Sequence, residues 1–144
     1  MATTAIITLN SDIMSAYSSY SKTMTLTKAG ALTDIEETTG FSRRKLAATT
    51  AVDLITMANE LVEPSDNTAA KVYIKNLGDG KGNINKDTYV TVSVGDTGGT
   101  TQQVGRLYGG DWLFMPATVV DDMDIVVAPS TNDTVVLEHT MFYE

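Results

Sequence analysis

The chain has 144 residues, 42% of them hydrophobic and 19% charged, which is typical of one globular domain and not of a disordered chain. Its formal net charge of −8 provides no basic face to neutralise phosphates, so we expect no nucleic-acid partner. The absence of cysteine excludes disulfides, thiolate catalysis and cysteine-bound zinc. With no secretory signal at the start and no apolar run near the ~20 residues that cross a bilayer, we expect a soluble protein made in the cytoplasm.

The N-terminal residues carry mixed signals. Residues 5–9 form a short β-type run that the next polar residues end or redirect. Residues 12–20 place apolar side chains at helical spacing, which allows a short helix, whereas residues 22–28 alternate as a half-buried strand does. We predict that residues 1–45 form an N-terminal segment or arm, extended for most of its length, that docks on neighbouring subunits.

Two further stretches leave the choice of element open. Residues 33–36 have the arrangement of a capping box and Gly40 offers a stop, which fits a helical turn or a structured loop. Residues 46–61 match both the helical and the strand period. Their β-branched content favours a strand that ends near Met57.

From residue 70 onward the chain has the pattern of short strands separated by turns. The strand-like runs are residues 71–76, 88–94, 101–107, 124–128 and 134–142. Strands spaced by ~8–12 residues with glycine, proline and aspartate between them are typical of antiparallel sandwiches and barrels. We therefore predict an all-β fold, a jelly-roll-like antiparallel β-sandwich over residues 46–144, with at most one or two short helices. In the first run we expect Val72 and Ile74 to point inward.

The stretch Arg106–Pro116 is the most distinctive part of the sequence. It has the pattern of a strand, a tight reversal at Gly109–Gly110 and a second strand that carries the only tryptophan, Trp112. We expect this hairpin to be the hinge of the sandwich, with Trp112 and Phe114 in the core and Asp111 in water.

Signals for chemistry are weak. The tripeptide at residues 96–98, Asp-Thr-Gly, occurs in aspartic proteases, but it is present once, lacks their preceding apolar pair and is common in hairpin turns. Residues 79–90 resemble a calcium loop but lack the glycine at its sixth position and the glutamate at its twelfth. The only histidine, His139, falls on the face of Val135 and Leu137, which indicates packing. We expect no catalytic site, metal or cofactor, and no enzyme.

Two charged clusters are candidate partner contacts, although the default interpretation is a solvated or acid-paired segment edge for the basic cluster and a solvated turn for the acidic one. The basic cluster could contact an acidic neighbouring subunit, and repulsion within the acidic cluster could be relieved by a cation or a basic partner. The basic cluster is Arg43, Arg44 and Lys45, and the acidic cluster is Asp121, Asp122 and Asp124.

Residues 70–144 also carry a family resemblance. The motifs that carry it, in order, are Lys71–Asn76, Tyr89-Val90, Arg106-Leu107, Gly109–Trp112 and Val136–Glu138. In this order they resemble small virion structural proteins of tailed bacteriophages, which are β-sandwiches on the capsid exterior or in the tail and fibre apparatus. The resemblance implies a β-sandwich fold and a role without catalysis.

The expected function is therefore a non-enzymatic structural protein of a phage virion, a capsid decoration or cement protein that stabilises the head through protein–protein contacts. Its partners would be the major capsid protein or neighbouring virion subunits, and we expect a homo-oligomer without nucleic acid or membrane. The alternative is a tail or fibre component, including a carbohydrate-binding receptor module.

Overall fold

A computed structural model of the chain describes residues 4–9, 20–25, 37–57, 68–84, 87–120 and 122–143. In these ranges the secondary structure is β-strand, with no α-helix. The predicted helix at residues 12–20 and the capping box at residues 33–36 lie outside them, apart from residue 20, which begins a strand.

The described residues form eleven strands. In chain order they are β1 (Thr4–Leu9), β2 (Tyr20–Thr25), β3 (Glu37–Thr38), β4 (Ser42–Leu46), β5 (Val52–Ile55), β6 (Thr68–Asn76), β7 (Tyr89–Gly95), β8 (Thr101–Tyr108), β9 (Trp112–Val119), β10 (Ile125–Pro129) and β11 (Val135–Tyr143).

Two antiparallel sheets make up the sandwich. The first, which we call the β7 sheet, has the strand order β5-β10-β7-β8. The second, the β6 sheet, has the order β3-β11-β6-β9, and β4 pairs with the same edge of β11 as β3. The prediction of an all-β antiparallel sandwich is thus confirmed.

The core lies between the two sheets and is built from alternate residues of each strand. In β6, Val72 and Ile74 are fully buried, as predicted, because the lysines around them occupy the opposite face. They meet the buried side chains of the opposing sheet, which include Val90, Val92 and Ile125.

The ambiguous stretch at residues 46–61 contains a strand, as predicted, but the extended structure is interrupted. Strand β4 ends at Leu46, and β5 begins only at Val52. Leu46 and Leu54 are both buried in the core. Since β3 and β4 pair with β11, the domain boundary predicted between residues 45 and 46 falls inside β4.

The Arg106–Pro116 stretch is not a hairpin, so this part of the prediction is wrong. Strand β8 pairs with β7, whereas β9 pairs with β6 in the other sheet. The turn between them carries the chain from one sheet to the other, and Gly110 takes a φ of 94° there. The stretch is a corner of the sandwich, in keeping with the predicted role as its hinge.

Asn76 forms four hydrogen bonds inside this corner. Its backbone N–H donates to the carbonyl of Asp111, and its carbonyl accepts from the N–H of Gly110, both at 2.9 Å. Its side-chain amide donates to the carbonyl of Leu107 at 3.0 Å and accepts from the N–H of Gly78 at 2.9 Å. The side chain is 1% exposed, so one buried residue holds both sides of the corner.

Candidate docking surface

Five aromatic side chains lie together on the outer side of the β6 sheet, facing away from the core. We call this surface the aromatic face; its members are Phe41, Tyr73, Trp112, Phe114 and Phe142. Phe41 is 69% exposed and Trp112 is 50% exposed, while the other three are half-buried. A group of this size on the outside of a sheet is a candidate interaction surface.

The prediction that Trp112 and Phe114 fill the core is therefore wrong. The register pairs Ile74 with Leu113, which places Leu113 on the core side of β9 and its neighbours Trp112 and Phe114 outside. The first four residues of β9 are all apolar, so alternation does not show which face is inward, and pairing with β6 decides it.

The bend between β3 and β4 brings Phe41 onto the aromatic face. Gly40 takes a left-handed φ of 73°, and its N–H donates to the Thr38 hydroxyl at 3.1 Å. Phe41 then meets Tyr73 edge to face, with ring centroids 5.9 Å apart. Burial raises the pKa of Tyr73, and the negative charge of Glu138 raises it further.

Strand β1 borders the aromatic face across a cavity. A cavity of about 390 Å³ is lined on one side by β1, including Ala5 and Ile7, and on the other by the aromatic side chains and Lys75. Part of the predicted N-terminal arm thus lines a cavity together with the sheet of its own chain. Its docking on neighbouring subunits stays a prediction.

The basic cluster lies on the edge strand β4, and its three residues are exposed. Arg43 forms an ion pair with Glu138 at 2.9 Å. Arg44 donates a hydrogen bond from its guanidinium to the backbone carbonyl of Asp53 in β5, which ties the edges of the two sheets together. The role of Arg43, Arg44 and Lys45 as partner contacts stays a prediction.

Arg43→Ala is expected to lower the free energy of unfolding by no more than about 1 kcal/mol, because exposed ion pairs contribute little. The Arg43 side chain is 67% exposed, so water already solvates most of it. Urea unfolding of both proteins measures the difference. A loss of several kcal/mol would show that the Glu138 pair is a structural element of the β4 edge.

The acidic cluster is split by the fold. Asp122 is exposed and adopts a φ of 68°, whereas Asp124 is only 8% exposed and accepts the N–H of Met57 at 2.7 Å. Asp121 lies outside the described residues. Asp124, directly before β10, is thus hydrogen-bonded to the segment that follows β5. The role of the three aspartates as partner contacts stays a prediction.

His139 points into the sandwich, as predicted for a packed histidine. Its Nδ1 is buried and has no hydrogen-bond partner among the described residues. Burial lowers the pKa of His139, and the positive charge of Arg44 lowers it further. The folded protein therefore holds this imidazole in its neutral form over a wider pH range than the unfolded chain does.

This burial predicts a stability that falls on acidification. Because the folded-state pKa of His139 lies below the ordinary value of 6.5, the unfolded chain binds the proton first as pH drops through that value. We expect the free energy of unfolding to decline from pH 7 down to the lowered pKa. Comparison with His139→Leu isolates the contribution of the histidine, since the carboxylates titrate in both proteins. Parallel pH profiles of the free energy of unfolding for the two proteins would contradict this prediction.

Asp96, of the protease-like tripeptide, and Asp79, of the calcium-like loop, both accept hydrogen bonds from residues of their own turns. Asp96 accepts the N–H of Gly98 at 2.9 Å in the β7–β8 turn. Asp79 accepts the Asn83 side-chain amide at 2.6 Å and the Lys81 N–H at 2.7 Å, and these bonds lower its pKa. In the part of the chain that the structure describes, no group of three His, Asp or Glu residues could hold a metal ion.

The same described residues include no helix of a length and apolarity that would cross a membrane.

Comparisons with known proteins give a distant likeness among solved structures. No protein-family model matches the chain, and no curated protein matches it. Among solved structures, it is similar to a chain from the Bacillus endospore appendages, which are described as a novel family of disulfide-linked pili. The two share 19% identity at a TM-score of 0.41, over 78% of this chain and 95% of that chain. The present chain has no cysteine and so can form no disulfide link.

Proposed function

We propose that this chain is a non-enzymatic structural subunit that works by burying its aromatic face against neighbours. In its specific form, the proposal is a bacteriophage capsid decoration or cement protein, made in the host cytoplasm and carried in the virion. The major capsid protein or neighbouring virion subunits would be its partners. The observation that carries the proposal is a cluster of five aromatic side chains outside the core.

The size of the aromatic face fits this role. An aromatic side chain buries 150–250 Å², so covering the exposed parts of Phe41 and Trp112 would remove on the order of 100 Å² each from water. At ~25 cal/mol per Å², that contributes roughly 2–3 kcal/mol for each residue. Tryptophan and tyrosine are also the residues that most often dominate binding at protein interfaces.

The edges of the sandwich add a second means of contact. Strand β8 ends the β7 sheet and β9 ends the β6 sheet, so each has one edge that no described strand covers. An open edge can pair its backbone with a strand of another subunit. With a formal net charge of −8, the chain would be steered toward a basic partner surface.

Binding to capsids tests this proposal. Purified protein would be added to heads of the phage that encodes it, assembled without this chain, and the bound amount measured by sedimentation of the heads. We expect saturable binding that Phe41→Ser with Trp112→Ser abolishes. The control is Val104→Ser, which removes an apolar side chain of 48% exposure from the other sheet. Wild-type protein that fails to bind would refute the capsid role.

A tail or fibre role with carbohydrate binding is the second candidate. Exposed aromatic rings stack on sugars, and Trp112 lies half exposed beside Lys75 at an open cavity. This role predicts glycan binding that Trp112→Ala removes. A glycan array without signal at high protein concentration would exclude the receptor version.

A further inference from the structure

The outer side of the β6 sheet is basic as well as aromatic. Cross-strand partners share a face of a sheet, so the registers of β4, β11, β6 and β9 show which charged side chains of these strands lie outside. Four positive charges against one negative charge give this side a net charge of +3, opposite in sign to the −8 of the whole chain. The cations are Arg43, Lys45, Lys71 and Lys75, and the anion is Glu138.

The aromatic face also leaves apolar surface in water, although β1 borders it. Phe41 is 69% exposed and Trp112 is 50% exposed with β1 in place. The register sets Trp112 directly beside Lys75, so aromatic and basic side chains alternate across the strands. A surface that complements this side must therefore combine apolar side chains with negative charge.

A second cavity of this chain offers the apolar part of such a surface. We call it the edge slot; it has a volume of about 390 Å³ and is lined by both sheets, including Val94 and Ile125 from one and Met115 from the other. It lies at β8 and β9, the strands that end the two sheets. Its lining also includes Val104, which is 48% exposed, and Met123, which is 43% exposed.

The edge slot also has an acidic border. The stretches of chain bounded by its lining residues, 94–104 and 115–125, contain four aspartates and no lysine or arginine. Asp122 is exposed directly beside Met123, and Asp96 follows Val94 by two residues. The edge slot and the aromatic face thus carry opposite charge, and both leave apolar side chains in water.

We propose that the aromatic face of one copy of this chain docks on the edge slot of a second copy. In this contact Phe41 and Trp112 cover the exposed Val104 and Met123 of the neighbour, and the cations around the two rings face Asp122. The two surfaces consist of different residues, so the contact is heterologous and each subunit binds two neighbours. This inference rests on the proposed assembly role of the aromatic face and names its partner.

Two full-length variants, each lacking one half of the contact, test this arrangement by sedimentation velocity. Phe41→Ser with Trp112→Ser removes the exposed rings and keeps the edge slot. Met123→Lys keeps the aromatic face and places a cation in the edge slot, where it repels the basic side chains of the neighbour. We expect each variant alone to be monomeric and an equimolar mixture to form heterodimers, because one intact face then meets one intact slot.

The matched control is Thr50→Lys, which adds the same charge at an exposed position between β4 and β5 and should oligomerise as the wild type does. Oligomers of Met123→Lys equal to those of the wild type would overturn the proposal, and so would a mixture without heterodimers. If Met123→Lys fails to fold, Val104→Lys places the cation on β8 at the same slot. A wild type that binds heads but stays monomeric at every concentration would refute this inference and leave the proposed function standing. Heterodimers without binding to heads would refute the capsid role alone.

Discussion

Asn76→Leu is expected to lower the free energy of unfolding by about 2–4 kcal/mol, because it removes two buried hydrogen bonds between the side-chain amide and the backbone. The carbonyl of Leu107 loses the Asn76 amide donor, and the buried N–H of Gly78 loses the amide oxygen that it donates to. Leucine has the same branched shape and the same number of side-chain heavy atoms, so the substitution leaves no cavity and the loss would come from the unmade hydrogen bonds. Urea unfolding followed by circular dichroism measures the change.

The matched control is Asn132→Leu. Asn132 also accepts a backbone hydrogen bond, from the N–H of Thr49 at 3.2 Å, but it is exposed, so water can replace the lost bond. We expect a loss below about 1 kcal/mol there. Equal losses in the two variants would contradict the description of Asn76 as the residue that holds the corner between β8 and β9.

Ile74→Ala is the second large prediction, with an expected loss of about 2–5 kcal/mol. Ile74 is fully buried at the centre of β6, where it packs among the core side chains of both sheets. Truncation removes three methyl or methylene groups from a site that cannot fully collapse, because β11 and β9 flank it on both sides. Chemical denaturation of the two proteins gives the difference.

Lys75→Ala, one residue further along, serves as its control. Lys75 points to the opposite side of the sheet, toward the aromatic face, and contributes nothing to the core. We expect its replacement to cost less than about 1 kcal/mol. A larger loss for Lys75 than for Ile74 would mean that the inward and outward faces of β6 are assigned the wrong way round.

The sequence predicts the faces of a strand only where polar residues mark one of them. In β6, Lys71 and Lys75 share the face opposite Ile74, so the sequence alone predicts which side of the strand faces the core. Strand β9 begins with four apolar residues, and its orientation follows from pairing with β6. The apolar run in β9 therefore does not show that Trp112 and Phe114 face outward.

The other wrong predictions concern features that depend on contacts between residues far apart in sequence. Gly109–Gly110 predicts a turn, but turn residues do not show whether the two strands pair with each other or enter different sheets. Asp124 belongs to an acidic run that looks solvated, and its burial depends on Met57, far away in sequence. The overall sandwich could be predicted because spacing of strands and turns is a local property of the chain.

Sedimentation velocity of the wild type and of the Phe41→Ser, Trp112→Ser variant tests the central claim most directly. Both residues lie outside the core and are at least half exposed, so the variant should unfold at nearly the same urea concentration as the wild type. We predict that the wild type forms oligomers as its concentration rises and that the variant remains monomeric. Identical sedimentation of the two proteins at every concentration would contradict the assignment of the aromatic face as the assembly surface.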